Sequence, residues 1–334
     1  MKILIDHQLP FMLAHGGLQI QIERTKQALE DAGVEVEYLR WWDDSQRGDI
    51  IHFFGRANPS HIDFAHAKRM KYVMSELFTG QGSRTPAQLR LQGALEKILR
   101  KAVPDAFLSS FRWDAYQKAD ALLVGTPWEA EVARLLFAPP PEKIYIVPNG
   151  VEDVFFLDPS SRAIPRSTEL VCTATITPRK RVVELAEAAI LAETPLRILG
   201  APYGKNDPYY QRFLVLVEQR PDLIRYSGAL KDRAELARAY KEARGFALLS
   251  TMETRSLSSE EAAAAGCPLL LSDLPWARST FGVDASYCPI ASAQETGSCL
   301  RKFYEDAPSL PLPARPLKWP DIADQLIGIY RGVR

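Results

Sequence analysis

The sequence predicts an α/β protein in which two doubly wound parallel sheets form two Rossmann-like domains that face each other across a cleft. Its 334 residues are enough for about two domains. Short apolar runs rich in β-branched and aromatic residues alternate with longer helical patterns, which is typical of parallel β-α-β units. The alternation stops once, at residues 152–167, where Asp, Pro, Ser and Arg replace it, and then resumes.

The first predicted domain spans residues 1–151. Strands are expected at 3–5, 34–39, 50–54, 71–74, 121–124 and 144–147. Helices are expected at 17–32, 86–101 and 107–118. The first of these helices ends before Gly33, a residue type that commonly follows the C-terminus of a helix.

The second predicted domain spans residues 168–310 and repeats the pattern. Strands are expected at 170–175, 196–199, 223–226, 246–249 and 269–271, and helices at 181–192, 209–220, 233–242 and 257–265. A closing segment, 311–334, begins in a proline-rich irregular stretch and ends in a helix at 321–330. Because ligands of such sheets lie beyond the carboxyl ends of strands, the loops that follow strands are the expected site.

Composition excludes several classes of protein. Lys plus Arg number 41 and Asp plus Glu number 41, so the charge gives no reason to expect nucleic acid as the partner. Cys172, Cys267, Cys288 and Cys299 have no C-x-x-C spacing and are expected to be buried, reduced thiols rather than a metal site. The N-terminal apolar run is too short for a signal peptide and no apolar stretch is long enough to span a bilayer, so we expect a cytoplasmic protein.

The segment 250–266 carries two carboxylates in a strand–loop–helix context. Glu253 lies in the loop and Glu261 eight positions later on the first turn of the helix, so both can face the cleft. Carboxylates accept hydrogen bonds from the hydroxyls of a sugar or a ribose, and the N–H groups at the helix start suit a phosphate. The alternative is a capping box in which Ser258 and Glu261 only close the start of the helix.

Two further segments point to phosphate binding. Arg179, Lys180 and Arg181 stand at a helix N-terminus, where the helix dipole disfavours cations and a diphosphate would offset the clash. The alternative is a solvated basic turn. Gly16 and Gly17, after the first strand, let a backbone approach a phosphate closely, although a plain tight turn explains them equally well.

Together these segments resemble the retaining glycosyltransferases of family 4, which have the GT-B fold, and the resemblance covers nearly the whole chain. The similar motifs are the glycine pair Gly16-Gly17, residues 146–151, the basic turn 178–180, the E-x7-E pair Glu253 and Glu261, and the closing segment 317–323. In that family the closing segment often crosses back to the first domain.

The resemblance implies roles at the matching positions. Lys180, with Arg179 beside it, would hold the donor diphosphate, Glu261 the ribose and Glu253 the hydroxyls of the transferred sugar. Further donor contacts would come from the backbone at Gly16, Gly17, Ser256, Leu257 and Ser258, from the base-reading loop at Gly228, Ala229 and Leu230, and from the glycine turn at Gly200.

The chain departs from the family pattern at three places. Thr175 stands where the family usually has an Arg, and Thr254-Arg255-Ser256 replaces a glycine-rich stretch. We therefore hypothesise that Arg255 supplies the missing cation and acts with Lys180 and Glu253 as the catalytic set. Glu76 follows a middle strand of the first domain where the family often has a His.

The expected reaction is transfer of a sugar from a UDP- or GDP-type nucleotide sugar to an unidentified sugar, lipid-linked or small-molecule acceptor, with retention implied by the resemblance. The chain has no D-x-D pair, so we expect no metal and no cofactor besides the donor co-substrate. Polar residues near strand ends of the first domain are candidates for binding the acceptor: His15, His52, Arg56, Asn58, His61 and Glu76.

Residues 89–103 mix basic and apolar side chains, and a peripheral membrane contact and an ordinary amphipathic helix both fit them. Two other functions remain open for the chain as a whole. One is a sugar-nucleotide epimerase of the same fold, and the other is a non-catalytic nucleotide-sugar-binding protein.

Overall fold

The computed structural model describes residues 1–8, 11, 16–104, 111–157 and 166–334. The chain divides into two compact units. The first unit contains Met1–Gly150 and Leu317–Arg334, and the second contains Val151–Pro316. The C-terminal helix therefore belongs to the unit that holds the N-terminus.

The first unit contains a six-stranded parallel sheet in the order β2-β1-β3-β4-β5-β6. Its strands are β1 (Lys2–His7), β2 (Glu35–Tyr38), β3 (Ile50–Phe54), β4 (Lys71–Ser75), β5 (Ala121–Val124) and β6 (Ile144–Ile146). Its helices are α1 (Gly17–Asp31), α2 (Pro59–Ala67), α3 (Pro86–Ala102), α4 (Ala115–Lys118), α5 (Pro127–Phe137) and, after the second unit, α12 (Trp319–Val333).

Both faces of this sheet are buried. Side chains of successive strand residues point to opposite faces, so Leu4 joins one core cluster while Ile3 and Ile5 join the other. The first cluster packs under α2, α3 and α5, and the second under α1 and α12. Burial on both faces explains why the strands read as continuous apolar runs.

The helix predicted at 107–118 is wrong at residues 111–114 and correct only at the last turn, Ala115–Lys118. Residues 107–110 lie outside the described residues, and from Phe111 onward the chain forms turns before the single helical turn of α4. Arg112 adopts a positive φ of 56°, which is incompatible with a continuous α-helix. The amphipathic pattern that suggested one helix reflects Trp113, Ala115 and Tyr116 packing into the core from a turn.

The second unit contains another six-stranded parallel sheet in the order β12-β11-β10-β7-β8-β9. Its strands are β7 (Leu170–Thr173), β8 (Leu196–Leu199), β9 (Ile224–Tyr226), β10 (Gly245–Leu248), β11 (Leu269–Ser272) and β12 (Ser286–Cys288). Its helices are α6 (Val182–Leu191), α7 (Pro208–Gln219), α8 (Arg233–Glu242), α9 (Leu257–Ala264), α10 (Pro275–Phe281) and α11 (Ala293–Asp306). No helix in the described ranges is both long and apolar enough to cross a membrane.

A polar link beside the second core cluster of the first unit joins the sheet of that unit to α12. His52 on β3 is fully buried, and its Nε2 lies 2.7 Å from Ser75 Oγ. Its Nδ1 lies 2.7 Å from Tyr330 Oη on α12. Burial lowers the pKa of His52 to about 3, so the ring is neutral in the folded protein at neutral pH.

We predict that this histidine makes the protein acid-sensitive. Between pH 6.5 and 3 the unfolded chain protonates His52 and the folded chain does not, so stability falls by up to ~1.4 kcal/mol per pH unit as pH decreases through that window. The His52→Gln variant lacks this term. Its melting temperature should decrease less than that of the unmutated protein between pH 7 and pH 4.5, and an equal decrease would contradict the prediction.

Candidate functional site

The strand order of the second unit places a topological switch point between β7 and β10. From β7 the chain proceeds outward through β8 and β9, and it then returns to build β10, β11 and β12 on the other side. Counted within the unit, this is the order 3-2-1-4-5-6 of doubly wound nucleotide-binding sheets. Ligands of such sheets bind where the order reverses, beyond the carboxyl ends of the strands. The loops after β7 and β10 are therefore the candidate site.

These two loops are bonded to each other through one carbonyl group. The carbonyl oxygen of Arg179 accepts hydrogen bonds from Thr251 N at 2.9 Å and from Ser250 Oγ at 3.1 Å. In the other direction the Arg179 guanidinium donates to the Met252 carbonyl oxygen at 2.6 Å. Ser272 Oγ, from the end of β11, donates to the Ser250 carbonyl oxygen at 2.6 Å. The basic turn and the Glu253 loop are thus held as one structure.

Glu253 is paired with two cations of the basic turn. Its Oε1 lies 2.5 Å from Lys180 Nζ and 3.1 Å from an Arg179 guanidinium nitrogen. The Lys180 side chain is only 12% exposed, so this is not the solvated basic turn that the sequence left open. The basic turn itself is a short 3₁₀ segment, Pro178–Lys180, and Arg181 adopts a positive φ of 53° before α6 begins.

The start of α9 differs from the capping alternative raised by the sequence. Ser256, not Ser258, is the N-cap residue, and its hydroxyl accepts a hydrogen bond from Ser259 N at 3.3 Å. Leu257 and Ser258 form the first helical turn. Glu261 therefore does not close a capping box with Ser258, and its carboxylate has other partners.

Glu261 belongs to a second cluster, formed with residues of α8. Its two carboxylate oxygens contact the Arg233 guanidinium at 2.5 Å and the Tyr240 hydroxyl at 3.3 Å. Arg233 also pairs with Glu152 at 2.8 Å and stacks over the Phe155 ring, 4.6 Å from its centroid. Burial raises the pKa of Glu261, against the opposing effect of Arg233. The structure thus gives Glu253 and Glu261 different cationic partners.

Arg255 pairs with a carboxylate that the sequence analysis missed. Its guanidinium contacts Glu260, which is almost fully buried and whose pKa is raised by desolvation. Removing the cation from a buried carboxylate costs free energy. We therefore expect Arg255 to stay paired with Glu260. The sequence signal for this pair was that Glu260 and Glu261 are adjacent. Neighbouring residues project in different directions from a helix, so the two carboxylates were bound to have different partners.

The loop after β8 approaches the loop after β7 so closely that only glycine fits. A Cβ atom on Gly200 would lie 1.8 Å from the Ala174 carbonyl oxygen. Gly200 N donates to the Gly228 carbonyl oxygen at 2.9 Å, and Tyr226 Oη donates to the Gly200 carbonyl oxygen at 3.0 Å. These bonds join Gly200 to the predicted base-reading loop, in which Ala229 is exposed and Leu230 half-buried. Thr175, next to Ala174, is also half-buried.

The remaining candidates lie in the first unit. Gly16 is the N-cap residue of α1 and Gly17 its first residue, whereas His15 lies outside the described residues. His52 is 1% exposed and fully engaged in the core, so its place among the acceptor residues is wrong. Asn58 caps α2 by accepting from Ser60 N at 3.1 Å.

Arg56 and Glu76 meet at the carboxyl ends of β3 and β4. Tyr116 Oη donates to Glu76 Oε2 at 2.5 Å, and Arg56 Nε donates to Tyr116 Oη at 2.7 Å. Burial raises the pKa of Glu76 despite the Arg56 charge. Across the described ranges, no group of three or more His, Cys, Asp or Glu side chains is arranged to hold a metal ion.

Two parallel six-stranded sheets with flanking helices define the chain as a protein of the GT-B glycosyltransferase fold. Similar solved structures include HepE of Anabaena in complex with UDP, with 15% identity, a TM-score of 0.68 and coverage of 100% of this chain and 98% of that one. Sucrose-phosphate synthase of Thermosynechococcus elongatus has 16% identity, a TM-score of 0.68 and coverage of 100% and 99%. The pneumococcal O-GlcNAc transferase GtfA, in complex with UDP and GlcNAc, has 16% identity, a TM-score of 0.60 and coverage of 85% and 56%.

No protein-family model and no curated protein sequence matches the chain. At the identities of the structural neighbours, the likeness establishes the fold alone.

We predict that Gly200→Ala destabilises the second unit by about 1–3 kcal/mol, because the added methyl group forces two backbones apart. Chemical denaturation measures the change. Gly204→Ala is the matched control, since a Cβ atom there meets nothing within 4 Å. Equal midpoints for the two variants would show that the approach at Gly200 is not required.

Proposed function

We propose that this protein is a glycosyltransferase that moves a sugar from a UDP- or GDP-type nucleotide sugar to an acceptor. The observation that carries the proposal is the pairing of Lys180 and Arg179 with Glu253 at the switch point of the second sheet. Cations and a carboxylate are the groups that a sugar diphosphate requires, one for its phosphates and the other for its hydroxyls. The complexes of HepE and GtfA with UDP support the choice of ligand class.

In this proposal Lys180 binds the donor diphosphate. Negative charge builds on the diphosphate as the glycosidic bond breaks, and a positioned cation in a partly water-excluded site stabilises it. Lys180 meets that requirement because its side chain is largely shielded from solvent and its backbone is fixed by the loop contacts. Glu253 then accepts hydrogen bonds from the hydroxyls of the transferred sugar. We further propose that transfer proceeds with retention and without a metal.

Glu261 is proposed to bind the ribose. A carboxylate has about four lone-pair positions, so the contacts with Arg233 and Tyr240 leave acceptor capacity for ribose hydroxyls. Arg255 is assigned to positioning rather than to the phosphate, since its movement would strand the buried Glu260 carboxylate. Arg56 and Glu76 remain the acceptor-side candidates of the first unit.

We predict that one nucleotide of a panel raises the melting temperature of the protein and that Lys180→Ala abolishes this shift. The panel is UDP, GDP, ADP, CMP and dTDP. A ligand at 100 times its dissociation constant stabilises by about 2.7 kcal/mol, which thermal-shift measurements resolve. Lys302→Ala is the matched control, because Lys302 is 80% exposed and its ion pair with Asp306, at 3.5 Å, lies within one helix away from the candidate site.

The outcomes of this panel separate the candidate functions. A thermal shift that is lost in Lys180→Ala and kept in Lys302→Ala supports the donor site. If the corresponding nucleotide sugar then releases free nucleotide only when an acceptor is present, transfer is supported. Formation of an isomerised sugar nucleotide without acceptor would indicate an epimerase. Nucleotide binding with neither product would favour a non-catalytic binding protein. That function is consistent with Thr175, which stands where the family that the sequence resembles usually has an Arg. No shift with any nucleotide contradicts the proposed site.

We also propose a peripheral membrane contact through α3. Leu91 and Ile98 are seven positions, or about two helical turns, apart, and Leu95 lies between them on the same side of the helix. Leu91 is 65% exposed and Ile98 61%. Arg90, Lys97, Arg100 and Lys101 are exposed beside them. Exposed apolar side chains flanked by basic ones are typical of helices that lie on anionic lipid surfaces.

We predict that the protein sediments with phosphatidylglycerol-containing vesicles at low salt and not with neutral phosphatidylcholine vesicles. Substituting Leu91→Glu and Ile98→Glu together removes apolar area and adds negative charge that the anionic lipid repels. The affinity for the vesicles should therefore fall by at least about tenfold. Val283→Glu, at a site 95% exposed in the second unit, is the control. Absence of binding at low salt would leave α3 an ordinary amphipathic helix.

A further inference from the structure

A cavity of about 500 Å³ lies in the first unit between the loop after β2 and helix α2. Its volume is in the range of small-ligand pockets. The residues that define its character are Asp6, Arg40, Trp41, Trp42, His61 and Lys68. None of the donor residues discussed above lines it.

The walls of this cavity expose large aromatic side chains. Trp42 is 83% exposed and Trp41 is 66% exposed. Phe64, which lies on α2 with His61, is 67% exposed. Adjacent indoles in contact with water are unfavourable for the folded protein alone. Exposed apolar patches rimmed by polar groups mark surfaces that bind another molecule.

The loop that carries the indoles is rigidly held by hydrogen bonds. Arg40 donates to Glu37 Oε2 at 2.8 Å and to Asp43 Oδ2 at 2.9 Å. Gln46 accepts from Arg40 N at 2.8 Å and donates to the Tyr38 carbonyl oxygen at 3.0 Å. These bonds fix the backbone positions of Trp41 and Trp42, which lowers the backbone entropy lost when a ligand binds.

Hydrogen-bonding groups surround the aromatic walls. Asp6 is 6% exposed and accepts a hydrogen bond from His7 N at 2.8 Å. The Trp41 ring meets the His61 ring edge to face, 5.3 Å between centroids, which fixes the indole further. Carboxylates at the floor and rim are acceptors, and Arg40 and Lys68 are donors.

We propose that this cavity is a carbohydrate-binding site in which a sugar ring stacks on Trp42, the more exposed of the two indoles, and its hydroxyls bond to the carboxylates and cations around it. A pyranose has an apolar C–H face that packs on an aromatic ring and hydroxyls that require both donors and acceptors at its edge. The cavity supplies all three. A quaternary ammonium ion, which also suits aromatic walls, would make no hydrogen bonds and would leave the donors Arg40 and Lys68 unused.

The test is calorimetric titration of the full chain with maltohexaose, cellohexaose, chitohexaose, mannohexaose and xylohexaose. At least one should bind, and Trp42→Ala should weaken that binding about tenfold or more, as expected for an exposed stacking residue that becomes buried in the complex. Val283→Ala, which truncates an exposed apolar residue that does not line the cavity, is the control and should bind as the unmutated protein does. Asp6→Asn, which keeps the shape of the side chain, should also weaken binding.

Three results would overturn the proposal: no binding of any of these oligosaccharides, equal binding by Trp42→Ala, or displacement of the bound oligosaccharide by choline. The carbohydrate site stands independently of the proposed transfer reaction. A protein without any nucleotide shift can still bind an oligosaccharide, and Trp42→Ala should keep the nucleotide shift of the unmutated protein. The two experiments therefore fail separately.

Discussion

The carbonyl group of Arg179 is the contact on which the candidate donor site depends. Strands β7 and β10 are neighbours in the sheet although they are far apart in sequence, so their following loops emerge side by side. Hydrogen bonds from Ser250 and Thr251 to this single oxygen join the two loops. Lys180 and Glu253 are thereby brought within 2.5 Å, and neither loop alone would hold its charged group against the other.

Burial of charge explains how the cations of the second unit are distributed. Glu253, Glu260 and Glu261 are all largely buried, and a buried carboxylate is costly unless it is paired or hydrogen-bonded. Each therefore has its own partner: Lys180 with Arg179, Arg255, and Arg233 respectively. Spacing alone could not reveal this division, because consecutive residues on a helix point in different directions.

The sequence predicted the central strands and three of the four edge strands, but it missed the edge strand β12 and gave no information on which strands pair. Ile50–Phe54 and Leu269–Ser272 are buried on both faces and read as apolar runs, whereas the edge strand Ser286–Cys288 is short, partly polar and was missed. Glu253 and Lys180 were found because they follow strands. Glu260 and the Trp41–Trp42 loop were missed because neither has a periodic signature, and their roles depend on neighbours distant in sequence.

Glu253 is paired with two cations, Arg179 and Lys180, so the cluster has one positive charge in excess. This excess allows one cation to bind a ligand while the other keeps the carboxylate paired. A lone Lys–Glu pair would leave the buried carboxylate uncompensated whenever the lysine turned to a ligand. Here Arg179, itself fixed through the Met252 carbonyl oxygen, remains 3.1 Å from Glu253. Lys180 can then contact an anion without stranding Glu253. The two pairings satisfy the Glu253 carboxylate and leave one positive charge in excess, which is a condition for an anion site that does not need to refold around its ligand.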